Sequence, residues 1–240
     1  MLGLIGKKLG HTRVYDAKGV VTPVTVVLAG PNHVLQCKTV ESDGYKAVQL
    51  GFDDQKEFRV TKPLMGHIKR HNGVAVKYIK EFRDYTASVK PGDKVGATLF
   101  AVGDFVDAIG VTKGRGFEGV VKRHGFAGGD STHGAKGWHR RGGAIGCRLF
   151  PGTVRRGMKM PGHMGQVQRT VQNLEVVQVL VDDNILLIRG SMPGAEGDYV
   201  IIRESKKMPK GTVKKGPAQP LKKSKAGAKP AAAATAPAKK

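Results

Sequence analysis

Acidic residues are scarce in this chain, and so are cysteine, tryptophan and long apolar runs. Its 240 residues include 19 Asp and Glu against 41 Lys and Arg, which gives a formal net charge of +22. Two cysteines, Cys37 and Cys147, are too few for a disulfide framework, so we expect a reducing compartment. No apolar run reaches the roughly 18 residues that a membrane span needs, and the opening run is too short for a signal peptide. We therefore expect a soluble protein with no membrane partner, whose excess charge indicates a polyanionic partner.

The excess positive charge is concentrated in two segments. Residues 205–240 contain eleven Lys and no acid, and residues 113–169 contain twelve Lys and Arg against two acids. The rest of the chain is almost balanced, with eighteen basic and seventeen acidic residues. The two basic segments repel themselves and hold few apolar groups, so burial cannot offset the backbone entropy that folding costs them. We therefore expect a nearly neutral body with two cationic appendages.

The body has the pattern of a β protein. Within 33–52, Ser42-Asp43-Gly44 separates two alternating runs and predicts a hairpin with a tight turn. Residues 61–82 are ambiguous and can hold a short helix. Many short strands at close spacing predict a closed barrel or a sandwich, from which the basic segment projects as an insertion. The Val-rich or alternating runs bounded by turn residues lie at 20–30, 33–52, 87–100, 104–112, 169–190 and 197–205.

The sequence GRGFEG at 114–119 matches the G-x-G-x-x-G pattern of dinucleotide-binding folds. Such a fold needs a βαβ unit and an acidic residue about twenty positions further on, whereas this segment runs into Gly128-Gly129. We reject a dinucleotide site on these grounds. Glycines still let backbone N–H groups approach a phosphate closely, which suits contact with an RNA backbone. The basic residues that bracket this turn are Lys113, Arg115, Lys122 and Arg123.

The residues of the basic segment, 113–169, argue against metal binding and catalysis. Its histidines and cysteine lie among arginines and lack the spacing of about two to four residues that structural zinc sites use. Cys147 with a nearby histidine suggests a nucleophile, but no acidic group is at hand to orient the pair. Stacking on nucleic acid or hydrogen bonding to it suits these histidines better. We expect no metal, no cofactor, no small-molecule substrate and no enzymatic activity.

The stretch Gly134–Gln166 holds the chain's single tryptophan, Trp138, and contains no Asp or Glu. A buried core position is one interpretation of Trp138, but its glycine, histidine and arginine neighbours offer little apolar surface. We favour stacking on an RNA base or ribose. Further along, Met158, Met160 and Met164 alternate with cationic residues. They can form an apolar seam against the body while the cations face phosphates.

Several blocks, in this order, resemble the bacterial form of the universal large-subunit ribosomal protein three family. The resemblance covers roughly residues 4–203. The blocks are GLIGKKLGHTRVYD at 3–16, VTKGRGFEGVVKRHGF at 111–126, STHG at 131–134, KMPGHMG at 159–165 and VQNLEVVQVLVDDNILLIRGSMPGAEGDYVIIR at 171–203.

The resemblance implies a mainly β fold, a six-stranded barrel of the translation-protein type near the solvent side of the large subunit. It implies a long irregular extension that reaches through rRNA towards the peptidyl transferase centre, early action in subunit assembly, and contacts with large-subunit proteins fourteen and nineteen. Some bacterial relatives carry glutamines after the Ile-Gly of the extension, one of them methylated. Here Cys147-Arg148-Leu149 follow Ile145-Gly146, so that modification cannot occur at this position.

The organisation expected on this basis has three parts. Residues 1–124 and 166–204 form the barrel body, with a partly helical insertion at 61–90. Residues 125–165 form the basic extension, and residues 205–240 form a Lys/Ala/Pro-rich tail that is disordered when free.

We expect a structural constituent of the large ribosomal subunit, located in the cytoplasm, that binds rRNA and helps to nucleate subunit assembly. The alternatives are an extra-ribosomal nucleic-acid chaperone and an enzyme that uses the glycine loop or Cys147. The side chains expected to contact RNA are Lys7, Lys8, Arg13, Lys113, Arg115, Lys122, Arg123, His124, His133, Lys136, Trp138, His139, Arg140, Arg141, Arg148, Arg155, Arg156, Lys159, His163 and Arg169.

Overall fold

The structure, a computed structural model, describes residues 1–15, 19–71 and 73–210, so most of the expected tail, 211–240, lies outside the described residues. None of the helices in the described parts has the length and apolarity that a bilayer crossing requires. The strands and α-helices of these parts are β1 (Gly3–Tyr15), β2 (Val21–Leu28), β3 (Asn32–Lys38), α1 (Val40–Asp43), β4 (Ala47–Asp54), α2 (Lys62–Arg70), β5 (Val76–Arg83), β6 (Lys94–Val95), β7 (Phe105–Val111), β8 (Phe117–Glu118), α3 (Val120–His124), β9 (Gly162–His163), β10 (Gln168–Leu180), β11 (Ile185–Arg189) and β12 (Tyr199–Glu204).

Six antiparallel strands close into a barrel in the order β1-β12-β7-β10-β11-β2. The strands β1 and β12, which are the first and last in the sequence, are neighbours in the barrel, with Gly3 opposite Arg203. Side chains alternate between the two faces of the wall, so Leu4 enters the barrel core while Ile5 packs outside it. The predicted mainly β fold with a six-stranded barrel is confirmed. Its core is formed chiefly by Leu4, Val27, Val106, Val176, Leu186, Ile188, Val200 and Ile202.

The strand β1 has no clear alternating pattern, because glycine occupies several of its positions. Close packing against β2 requires one of them. A Cβ at Gly6 would lie 2.7 Å from Val27 Cγ1 and 2.9 Å from the carbonyl oxygen of Leu28. The glycines that let β2 approach closely also interrupt the alternation of apolar and polar residues by which a strand is predicted from sequence.

Residues 32–95 build a second sheet on the outside of the barrel, in the order β5-β4-β3-β6. Its inner face packs on the barrel through a cluster in which Ile5 and Ile201 meet Leu50 and Phe82. Its outer face is covered by α2, whose Ile68 is fully buried. The layers are therefore barrel, sheet and helix, and each face of the second sheet contributes to a buried cluster.

The predicted hairpin at 33–52 is the antiparallel pair β3 and β4, which lies in the second sheet and not in the barrel. Its connection is longer than the tight turn we predicted. Thr39 caps the single helical turn α1, which ends at Gly44 with a φ of 79°. The glycine at the end of Ser42-Asp43-Gly44 thus terminates a helical turn in the left-handed conformation, which it adopts without strain.

Asn32 fastens the second sheet to the barrel. It is fully buried at the start of β3, and its Oδ1 accepts from the N–H of Ile5 at 3.1 Å. Its Nδ2 donates to the carbonyls of Ile5 at 3.1 Å and Ala29 at 3.0 Å. Because all of these groups are buried and paired, sliding one sheet over the other would leave several of them unsatisfied. The barrel and second sheet therefore offer a rigid base for the basic segment.

Candidate nucleic-acid interface

The basic segment leaves and re-enters the barrel as a pair of hydrogen-bonded strands, here called the root ribbon (residues 112–118 and 162–167). The Arg115 N–H donates to the Met164 carbonyl at 2.8 Å, and the Met164 N–H donates to the Gly116 carbonyl at 2.9 Å. Nearer the tip, β8 pairs with β9 in antiparallel register. GRGFEG therefore contributes to one half of this ribbon, and the connection from β8 to β9 is a long excursion between antiparallel strands, not a βαβ unit.

Gly165 allows the two halves of the root ribbon to come together. Its φ is +81°, in the left-handed region, and a Cβ there would lie 2.2 Å from the carbonyl oxygen of Lys113. That distance is far shorter than a van der Waals contact, and the neighbouring atom belongs to the backbone, which cannot move aside easily. The position therefore requires glycine for both conformation and space.

A cleft of about 680 Å³ lies between the root ribbon and the rim of the barrel, and we call it the basic cleft. No Asp or Glu lines it among the described residues. Cationic side chains that share one concave wall raise the local positive potential and concentrate anions there. The basic or imidazole side chains that line the cleft are Lys113, Arg115, Arg123, His124, His163 and Arg169, all of which the sequence predicted to contact RNA.

Two of these side chains also hold the cleft in shape. Arg123 Nη1 donates to the carbonyl of Met160 at 2.6 Å, and His124 Nε2 donates to the same oxygen at 3.0 Å. Both come from α3, which follows the outgoing half of the ribbon, whereas Met160 lies on the returning chain. Lys122 is paired with the carboxylate of Glu118, so part of its charge is compensated within the extension. Arg115, Lys113 and Arg169 remain exposed in the cleft.

Beyond the root, the chain is irregular and exposed, as predicted for the extension. A loop between Gly129 and His139 is closed by a backbone hydrogen bond of 3.0 Å from the Gly129 N–H to the His139 carbonyl. A Cβ at Gly128 would lie 2.3 Å from that carbonyl oxygen, so this crossing also depends on glycine. The remaining predicted contact residues of the extension, which are all exposed, are His133, Lys136, His139, Arg140, Arg141, Arg148, Arg155, Arg156 and Lys159.

Trp138 is on the surface of the extension. Its side chain is 56 % exposed, and the Arg141 guanidinium carbon lies 5.0 Å from the centre of its ring. The structure therefore does not support the core interpretation of Trp138, and stacking on RNA stays a prediction. Met158 and Met160 lie near it within the extension, so these two do not form the seam against the barrel that we considered.

Lys8 requires a correction. We predicted it to contact RNA, but it is 4 % exposed, and its Nζ donates to the carbonyls of Met192 at 3.0 Å and Gly194 at 2.9 Å. Burial lowers the pKa of this ammonium, and the nearby charge of Lys113 lowers it further. A group bound internally in this way is not presented to an outside ligand, and we remove it from the interface. Lys7 is half-buried with Nζ 4.0 Å from the Asp53 carboxylate, and Arg13 is exposed on β1.

A neighbouring hollow of about 470 Å³ contains side chains that we did not predict. It shares Thr112 and Lys113 with the basic cleft and adds Tyr78 and Tyr199. The two tyrosine rings are stacked with centres 4.9 Å apart, and Lys77 Nζ lies 5.6 Å from the ring centre of Tyr199. Burial and a hydrogen bond to Asp53 raise the pKa of Tyr199 to about 12. The only sequence signal for this hollow was the adjacent pair Lys77 and Tyr78, a cation beside an aromatic residue, and a single pair is too short to indicate a site.

In the described parts of the chain, no three His, Cys, Asp or Glu side chains come together as a metal site would require. Cys147 is exposed in the extension as a free thiol.

Most of the chain is similar to known ribosomal proteins. Residues 59–181 match the family model described as Ribosomal protein L3. The large ribosomal subunit protein uL3 of Akkermansia muciniphila is 48 % identical over 210 residues, which cover 86 % of this chain and 99 % of that protein. The protein of the same name from Lactiplantibacillus plantarum is 44 % identical over 210 residues, covering 85 % of this chain and 97 % of that protein.

The chain belongs to the ribosomal protein L3 family. The resemblance to the bacterial form of this family is thereby confirmed. Ribosomal protein L3 is a structural component of the ribosome and not an enzyme, which agrees with the function class expected from the sequence.

Proposed function

We propose that this chain is an rRNA-binding structural constituent of the large ribosomal subunit in the cytoplasm. The observation that carries the proposal is the basic cleft, where six predicted contact residues from separate parts of the sequence meet at the root of the extension. The names of the two relatives, which are both large-subunit proteins, support the same assignment.

The proposed mechanism is electrostatic and steric. Lys113, Arg115 and Arg169 neutralise phosphates that would otherwise repel one another where RNA segments converge. Contacts to phosphates fix the orientation of a protein on RNA without reading its sequence. The root ribbon holds Lys113 and Arg115, and the barrel strand β10 holds Arg169, so little backbone freedom is lost on binding. The exposed cations of the extension continue the same surface away from the barrel.

The finer proposals rest on the family resemblance. We propose that the extension, 125–165, reaches towards the peptidyl transferase centre while the body, 1–124 and 166–204, stays near the solvent side. We further propose that the protein joins the subunit early in assembly and contacts proteins fourteen and nineteen. The exposed and largely irregular course of the extension supports the first of these, because it leaves the cationic side chains of the segment open to phosphates of the surrounding RNA.

The test is binding of a large-subunit rRNA fragment by the full chain at a series of salt concentrations. A Lys113→Gln/Arg169→Gln double variant removes two cations from the cleft. We expect weaker binding and a slope of log K against log salt that is shallower by about one to two, since each phosphate contact contributes roughly 0.7 to 0.9. The matched control is Lys90→Gln/Lys94→Gln, which removes two exposed cations near the second sheet.

Equal slopes for the two double variants would show that the cleft has no special part in RNA binding. Equal affinity of the unaltered chain for rRNA and for unrelated RNA of the same length would favour the nucleic-acid chaperone instead. A docked fit to rRNA should retain its preference at high salt, whereas non-specific binding should not.

A further inference from the structure

The extension contains a second concave site that is chemically unlike the basic cleft, and we call it the apolar hollow. Its volume is about 500 Å³. Cationic side chains surround it, namely Arg140, Arg141 and Lys159, and no Asp or Glu lines it among the described residues. Its apolar walls are formed by Val120, Phe126, Trp138, Ile145, Met158 and Met160.

The walls of the apolar hollow are unusually exposed for their residue types. Trp138 is 56 % exposed, Ile145 is 51 % exposed and Met158 is 40 % exposed, although Val120 beneath them is 5 % exposed. Large apolar side chains that converge on one concave surface while facing solvent mark a binding site, because burying them against a partner is favourable. Scattered single apolar residues would not carry this meaning, but these six line one cavity.

Backbone contacts hold the aromatic wall in place. The loop that carries Trp138 is closed by the hydrogen bond from the Gly129 N–H to the His139 carbonyl. A Cβ at Gly129 would lie 2.9 Å from the carbonyl oxygen of Trp138, so the two chain segments touch backbone to backbone. Arg141 lies over the indole, with its guanidinium carbon 5.0 Å from the ring centre. The Trp138 ring is therefore oriented before any partner arrives, which reduces the entropy cost of binding.

We propose that the apolar hollow receives the base of an unpaired rRNA nucleotide, with the phosphates on either side held by Arg140, Arg141 and Lys159. A nucleobase offers a flat face to an indole and to polarisable methionine sulfurs, and its own backbone supplies the negative charge that the rim matches. An apolar protein side chain would fit the walls but would leave three cations without a partner. This inference rests on the proposed rRNA binding.

The single tryptophan of the chain provides a direct measurement, because all indole emission comes from Trp138. The probes are a ten-nucleotide single-stranded RNA and an abasic strand of the same length. We expect both probes to bind the full chain with similar salt slopes. Only the RNA with bases should quench Trp138 emission, because the abasic strand has no base to stack on the indole. Salt-dependent binding of RNA with unchanged emission would overturn this inference and leave the proposed function standing. If neither probe bound, the inference would fail, and the titration with the large-subunit rRNA fragment would still decide the proposed function.

Two aspartate variants separate the hollow from the general charge of the extension. Ile145→Asp places a carboxylate in the wall, whereas Leu149→Asp makes the same charge change at a side chain that is 99 % exposed and does not line the hollow. We expect Ile145→Asp to weaken RNA binding by about tenfold more than Leu149→Asp, the effect of losing one stacked base. Equal weakening by the two variants would overturn the proposal.

A cross-linking experiment identifies the occupant in the assembled particle. Replacing Ile145 by p-benzoylphenylalanine puts a photoreactive group at the hollow. In reconstituted large subunits we expect illumination to join this position to rRNA. Cross-links to another protein without any to RNA would overturn the proposal.

Discussion

At the scale of single residues, Lys7 and Lys8 differ in role although they are adjacent and chemically identical. Successive side chains of a strand point to opposite faces, so one of the two must turn inward on β1. Lys8 is the buried one, and its ammonium satisfies the carbonyls of Met192 and Gly194. Which lysine is buried depends on the register of β1 against its neighbours. That register includes a bulge between Lys8 and Gly10, which the sequence does not show.

Lys8→Met and Lys7→Met should therefore affect different properties, the first the stability of the protein and the second its RNA binding. We expect Lys8→Met to lower the free energy of unfolding by about 1 to 3 kcal/mol, because two carbonyls lose a charged donor. It should leave the salt slope of RNA binding unchanged. Lys7→Met should change stability by less than about 0.5 kcal/mol and make the slope shallower. Urea denaturation and RNA titration measure the two quantities. A shallower slope for Lys8→Met would return that residue to the interface.

At the scale of elements, the root ribbon fixes the position at which the extension leaves the barrel. Its two halves carry Lys113 and Arg115 on the outgoing chain and His163 on the returning chain, and these side chains meet in the basic cleft only because the halves are paired. The ribbon in turn depends on the close approach at Gly165.

Gly165→Ala and Gly157→Ala form a matched pair for this element, since both glycines have a φ of +81°. Each alanine incurs the strain of a left-handed conformation, about 1 to 2 kcal/mol. At Gly157 a Cβ has no neighbour within 4 Å among the described residues, whereas at Gly165 it meets the Lys113 carbonyl. We expect Gly165→Ala alone to speed amide hydrogen exchange at Arg115, by tenfold or more for an added cost of about 1.4 kcal/mol or above. Equal exchange rates in both variants would mean that the ribbon relaxes around the methyl group.

The elements also show what sequence patterns can predict. Alternating apolar runs between turn residues identified β2, β7, β10, β11 and β12, because each has one face in the barrel core. The sequence did not divide the strands between two sheets: Val34 and Leu35 of β3 are adjacent and both buried, one facing the barrel and the other α2. Every basic residue that lines the cleft is among those that the sequence predicted to contact RNA, and that contact stays a prediction. The sequence did not predict that they converge, because their meeting depends on hydrogen bonds between segments about fifty residues apart in sequence.

At the scale of the whole molecule, the barrel supports the extension, and the extension supplies most of the proposed RNA contacts. Among the described residues, the barrel core contains no residue of the extension, which joins the barrel through the root ribbon. Replacing residues 119–161 by Asn-Gly, a two-residue turn that suits the antiparallel β8–β9 pair, should leave the barrel folded. Nine Lys and Arg are lost with the segment. We expect a melting temperature within about 4 °C of the original, a much shallower salt slope and no stable incorporation into subunits. Normal incorporation would contradict the proposed role of the extension.

The neighbouring positions of β1 and β12 in the barrel impose an order of events on synthesis. The barrel cannot close until Glu204, the end of β12, is available to pair with the start of β1. By then the basic segment, 113–169, has already been made. At about 5 to 20 residues per second, the 35 residues that separate Arg169 from Glu204 take roughly two to seven seconds to synthesise. For that interval the nascent chain carries its basic segment on a barrel that has not yet closed.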